Sequence, residues 1–350
     1  MSIFRRSLPP VAALLALAGM SLAPLQSGAA PAPRNEPQPG TQTAEGRSGP
    51  IVLPAAVGEE PGHFAAVVPA MPMPCTNCYL TGTEIDLVFE DGRSANLDNG
   101  VMLHHIVVFN SGRPDATCGP DTPIGSLGER FFAAGNERTG GHFPAGFGYH
   151  YGTERVAGAV ELMNHSASPQ VVFVKTKVTY VPDSTPGMKP VRPVWLDQDN
   201  CGDSAYAVAA GPSNKVWRWT STLTGRVLLA GGHVHNGGIK IVLANETTGQ
   251  HLCTSYAGYG NNPAFAGSLE SMSTCTWDRL GTVRAGEVLS IDTYYDPPEP
   301  QSDVMGIVLA YVYETDDLAG GTPPPADVQA PAPPWPPAGG VPSEHGHGHH

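Results

Sequence analysis

Val171-Val172-Phe173-Val174-Lys175-Thr176-Lys177-Val178-Thr179-Tyr180 decides the fold class. Its second half alternates apolar and polar side chains, the pattern of a strand with one face buried and one wet. Similar short runs recur on both sides: Glu84 to Phe89, Val101 to Phe109, Arg226 to His235, Ile239 to Leu243, Val288 to Tyr295 and Val304 to Tyr313. Each is rich in β-branched or aromatic residues and bounded by Gly, Asn, Asp or Pro. No window carries a long apolar stripe at 3.6-residue spacing. The expected class is all-β, built as two antiparallel, jelly-roll-like β-sandwiches in tandem, because about 255 ordered residues exceed one ordinary sandwich. The Pro- and Asp-rich stretch from Pro182 to Asp203 is the natural junction, giving sandwiches over 63–185 and 186–316.

Composition agrees. The chain has 42 glycines and 36 prolines among 350 residues, more than a fifth of the total, without a G-X-Y period. That excludes collagen, coiled coils and helical repeats. Apolar residues at 41% can form a sizeable core, so global disorder is not expected. A net charge of −13 with no basic run argues against nucleic acid or anionic lipid as a partner.

The N-terminus reads as an export signal over residues 1–30. Arg5 and Arg6 precede an apolar stretch from Val11 to Leu25, and Ser27-Gly28-Ala29-Ala30 offers small residues for cleavage. The apolar stretch is too short to span a bilayer, so no membrane attachment is expected after cleavage. A secreted or periplasmic monomer is the expected product. Residues 31–62 read as a Pro- and Gly-rich linker, and 317–350 as a disordered Pro-rich tail ending in histidines. Export makes disulfides the first reading of Cys75, Cys78, Cys118, Cys201, Cys253 and Cys275. Of the possible pairings, Cys253 with Cys275 is favoured because both lie in one short segment.

Two histidine clusters carry the chemistry. His233-Val234-His235 ends an apolar strand, and residues two apart on a strand leave the same face, so both imidazoles can reach one ion. Flanking glycines let the backbone turn there. His104-His105 lies inside Val101 to Phe109, where neighbours normally point to opposite faces, so joint chelation requires a bulge. Without one, the pair reads as one core and one surface histidine. Imidazole pairs suit copper or zinc. His142, His150, His63 and His251 read as loop or surface residues. No G-x-S-x-G elbow, Walker loop or His-Glu-x-x-His motif is present.

A double His on an apolar strand, a later His-x-His followed by Gly, and a Met in a C-terminal strand resemble the copper type II, ascorbate-dependent monooxygenases. These include the peptidylglycine α-hydroxylating and dopamine β-monooxygenases. The runs His233-Val234-His235-Asn236-Gly237-Gly238, Ser271-Met272-Ser273-Thr274-Cys275 and Val304-Met305-Gly306 resemble secreted stress-up-regulated nodulin-like proteins more closely still. The resemblance covers roughly residues 75–315 and implies two coppers. His233, His235 and Met305 would hold the catalytic, O2-binding ion. His104 and His105 would hold the electron-storing ion, with His165 or Met163 as third ligand. Ascorbate or a similar reductant would be co-substrate. The implied activity is hydroxylation of a C–H bond in an unknown small-molecule or peptide substrate. Peptidylglycine itself is not supported: the family's carboxylate-binding Arg is replaced by Gly231 and its substrate Tyr by Leu309. The alternatives are a copper-handling protein without turnover, and a structural or ligand-binding sandwich without metal.

Overall fold

The computed structural model describes residues 38–324. The expected signal sequence at 1–30 and the histidine-ended part of the tail lie outside the described residues. Within them the chain is all-β: 3-10 turns occur at Leu97–Asn99, Gly125–Leu127 and Pro263–Phe265, and there is no α-helix. No helix among these residues is long and apolar enough to cross a membrane.

The decisive stretch is the strand Gln170–Pro182, whose buried residues Val172, Val174, Thr176 and Val178 alternate with more exposed ones. It pairs antiparallel with Cys78–Phe89 on one side and Gln42–Leu53 on the other. Residues 42–53 were expected in the linker but form a sheet edge instead. An edge strand needs hydrogen bonds on one side only, so it tolerates the Gly and Pro residues that made this segment read as linker. Ser48, Ile51 and Leu53 are its buried residues.

A second sheet orders Gly62–Val68, Val156–Asn164, Val101–Asn110 and Glu129–Gly135. A third orders Arg192–Asp197, Gly306–Glu314, Gly225–Val234 and Thr274–Val283. A fourth orders Ser213–Thr220, Val288–Tyr295, Gly238–Asn245, Gln250–Tyr259 and Leu269–Met272. The run expected as one strand from Val304 to Tyr313 is two, Gln301–Val304 and Gly306–Glu314, broken at Met305.

The third sheet is buried on both faces, which is why its central strands read as nearly continuous apolar runs. Val227, Ala230, Val234, Val308, Ala310 and Val312 pack toward the fourth sheet. On the opposite side, Leu228, Leu229 and Tyr311 join the core built on residues 51–191. Trp195, Met305 and Ile307 pack there with Val107, Ala133 and Leu309. This contact between the second and third sheets brings the histidine strands together.

Three disulfides close the described cysteines: Cys253–Cys275 as expected, with Cys75–Cys78 and Cys118–Cys201.

Candidate metal centre

The double-histidine strand Val101–Asn110 lies between Val156–Asn164 and Glu129–Gly135. Its register against Val156–Asn164 places Leu103 opposite Leu162 but His105 opposite Glu161. His104 is therefore one residue too many on its strand, and the required bulge is present at that position. The two imidazoles end with ring centroids 4.8 Å apart.

On the third sheet, His233 pairs with Ile307 and Gly231 with Leu309. Directly opposed residues in an antiparallel pair share a face. His233, Ile307 and Leu309 thus look the same way, and His235 and Met305 lie just beyond the last pair of these strands, Val234 with Gly306. Tyr295 locks this end: its hydroxyl accepts from the His235 backbone N–H at 2.7 Å and donates to the Met305 carbonyl at 2.7 Å. Asn236 fixes the turn beyond by accepting from the Leu269 N–H at 2.9 Å. Gly237, at φ 82°, supplies the left-handed step that returns the chain into the next strand.

The two pairs converge. The His104 and His235 ring centroids are 5.1 Å apart, and those of His233 and His235 5.3 Å. Ligating atoms of His104, His105 and His235 lie within 4.8 Å of one another. Nitrogens bound about 2.0–2.1 Å from a metal ion lie no more than about 4 Å apart, so this spacing is close to that of one coordination sphere.

Each imidazole is oriented from behind. Glu161 faces His105 Nε2 at 3.0 Å and His104 Nδ1 at 3.6 Å, and also accepts from the exposed His63 at 2.7 Å. Glu137, buried to 3% exposure, holds His233 Nδ1 at 3.1 Å. The Asp303 carbonyl accepts from His235 Nδ1 at 2.7 Å. A ring that donates from one nitrogen presents the lone pair of the other. His105 Nδ1, His233 Nε2 and His235 Nε2 are buried with no hydrogen-bond partner. Orphaned imidazole nitrogens cost free energy unless something accepts their lone pairs, and a metal ion does so.

The electrostatics agree. Burial lowers the pKa of His235 well below its ordinary value, helped by the neighbouring His104 and His233. Burial also lowers that of His105, with Glu161 opposing. Both rings are thus held neutral, the ligating form. Burial alone would raise Glu161, but His104 and His105 hold its carboxyl far below the usual carboxylate range. Glu137 is likewise raised by burial, outweighed by His233, and ends lowered.

The remaining expected ligands are placed less centrally. Met305 is buried against Trp195 and Ile307, and its side chain lines the same cavity as His105 and His233. Met163 is half-buried between His63 and Met102 across the second sheet. His165 is exposed beyond the end of its strand, its N–H donating to the Gly100 carbonyl at 2.7 Å. Four residues of extended chain, about 13 Å, separate it from Glu161, so His165 is not brought to the cluster. Sequence reading missed Glu161 and Glu137. A carboxylate amid Val160 and Leu162 is a faint signal for the first; nothing local marks the second.

The stress up-regulated Nod 19 family matches residues 188–315. The chain is 28% identical over 258 residues to "Probable copper-dependent oxygenase M1" of Phoma sp., an alignment covering 68% of this chain and 64% of that protein. It is also 28% identical over 246 residues to "Probable copper-dependent oxygenase clz3" of Cochliobolus lunatus, covering 65% of this chain and 77% of that one. The chain thus spans less than two thirds of the Phoma relative. Among solved structures, the bacteriophage PM2 capsid protein P2 aligns over 80% of this chain and 100% of its own, at 7% identity. The TM-score of that alignment is 0.30.

Proposed function

We propose that this chain, a member of the stress up-regulated Nod 19 family by its residues 188–315, is an exported copper-dependent oxygenase. The observation that carries the reading is the meeting of His104 and His105 with His235 inside a 4.8 Å cluster. Two relatives named as probable copper-dependent oxygenases support the choice of metal. Imidazole donors that present neutral nitrogens suit copper in both oxidation states.

His104, His105 and His235 hold the ion in this proposal. Copper bound there supplies one-electron redox chemistry for activating O2 toward a C–H bond, with ascorbate or a similar reductant returning electrons. The protein's own contribution is orientation. Glu161 fixes two rings, the Asp303 carbonyl a third, and Glu137 the adjacent His233. A second ion at His233 and Met305 is the other reading. It is favoured by the unpartnered His233 Nε2 and by the presence of both side chains on one cavity wall.

Three disulfides suit an oxidising compartment and so support export. Each of the four large sheets draws its strands from one side of residue 191, which supports two tandem sandwiches.

Oxygen uptake by the copper-loaded protein with ascorbate and candidate substrates tests the reading. Faster uptake than free copper gives, lost in His235→Ala, is expected. Uptake no faster than that of free copper would leave a copper-handling protein without turnover.

A further inference from the structure

Between the second and third sheets a cavity of about 190 Å³ opens beside the histidines. Its wall includes His105 and Phe132 from the second sheet and His233, Trp195, Ile307 and Leu309 from the third. We propose that this cavity binds the reacting end of an uncharged, largely hydrocarbon substrate, an inference that rests on the oxygenase reading above and names its substrate class.

The charged groups on the wall are already committed. Arg130 donates to both Asp115 carboxylate oxygens, at 2.8 and 3.0 Å, and its guanidinium carbon lies 5.0 Å from the centre of the Trp195 ring. Glu137 is engaged by His233. Asp203 is exposed at the edge, so the entrance carries negative charge. A substrate carboxylate entering here would lose its water and meet no free cation among the described lining residues, which disfavours its entry. Gly231 and Leu309, opposite each other on paired strands, themselves contribute no polar side chain to the wall. A cavity of about 150 Å³ lined by aliphatic and aromatic side chains holds a benzene ring. The space beside His105 and His233 therefore suits one ring-sized apolar unit, with the rest of a larger molecule passing out through the opening.

The test uses the full chain without copper and two probes of one outline, 4-methylacetophenone and 4-methylbenzoate, followed by calorimetry. The ketone is expected to bind at least tenfold more tightly than the carboxylate. Leu309→Trp, which fills the cavity, should weaken the ketone at least tenfold while copper loading persists. Gly231→Arg should raise the affinity for the carboxylate. Equal affinities, or no ketone binding by a chain that still loads copper, would overturn the inference and leave the oxygenase reading standing. Ketone binding by a chain that takes up no copper would support the cavity assignment and sink the reading on which its role as substrate depends.

Discussion

His104, on a strand of the second sheet, and His235, just past the end of a strand of the third, face each other edge to face with ring centroids 5.1 Å apart. The contact depends on two local irregularities. A bulge turns His104 onto the face of His105, and the break of the C-terminal run at Met305 lets the Asp303 carbonyl reach His235. On a regular strand His104 and His105 would point to opposite faces.

Glu161 anchors two of the clustered rings, so Glu161→Gln should weaken copper without unfolding the protein. Loss of a partner that orients a ligand typically lowers metal affinity about 10–100-fold. Competition against a copper chelator measures it. An unchanged affinity would mean that Glu161 does not position His104 and His105.

Gly135 lies opposite His105 on the neighbouring strand. A methyl group there would stand 2.7 Å from His233 Cε1 and collide with the Glu137 carboxylate. Gly135→Ala should displace the His233 ring and cost about 1–3 kcal/mol of stability, as overpacking does elsewhere. Chemical denaturation reads the cost, and the imidazole signals of the metal-free protein read the displacement. Wild-type values for both would show that His233 has room to spare.

Asp115 gives a pH dependence of defined sign. Burial would raise its carboxyl, but the Arg130 guanidinium outweighs this and holds it down at about 2, against an ordinary 3.8. Its contribution, roughly 2 kcal/mol, is fully present above about pH 4–5 and is lost as pH falls through about 2. Asp115→Asn should therefore lower stability at neutral pH and flatten the acid limb of the denaturation profile. A variant with an unaltered acid limb would contradict this.

The disulfides should differ in weight by the length of chain they close. Cys118–Cys201 spans 83 residues and Cys75–Cys78 only 3. Chain-entropy arguments give roughly 4–5 kcal/mol for the first and below about 2 kcal/mol for the second. Paired Cys→Ser variants compared by denaturation check the order, and equal losses would contradict it.

Much of this was legible in the sequence. Val288–Tyr295 appears at its expected bounds, and Gln170–Pro182 extends the run Val171 to Tyr180 by one residue before it and two after. Alternation and β-branching report local backbone preference and burial on one face. The strand Gln42–Leu53 was hidden because an edge position tolerates Gly and Pro, so its composition resembles that of a linker. Cys253 and Cys275 were readable as a pair through their closeness in sequence, whereas Cys118–Cys201 depends on tertiary packing. The histidines were readable as candidate metal ligands by residue type. The carboxylates behind them were not, because Glu137 meets His233 only after two sheets have packed together.

Copper loading of single and double variants tests the central claim most directly. If both histidine pairs serve one centre, His104→Ala and His235→Ala should each remove the same tightly held ion, and the double variant should lose no more than either alone. If each variant instead loses a different ion, so that losses add in the double variant, the pairs are independent sites and the convergence has no role in holding metal.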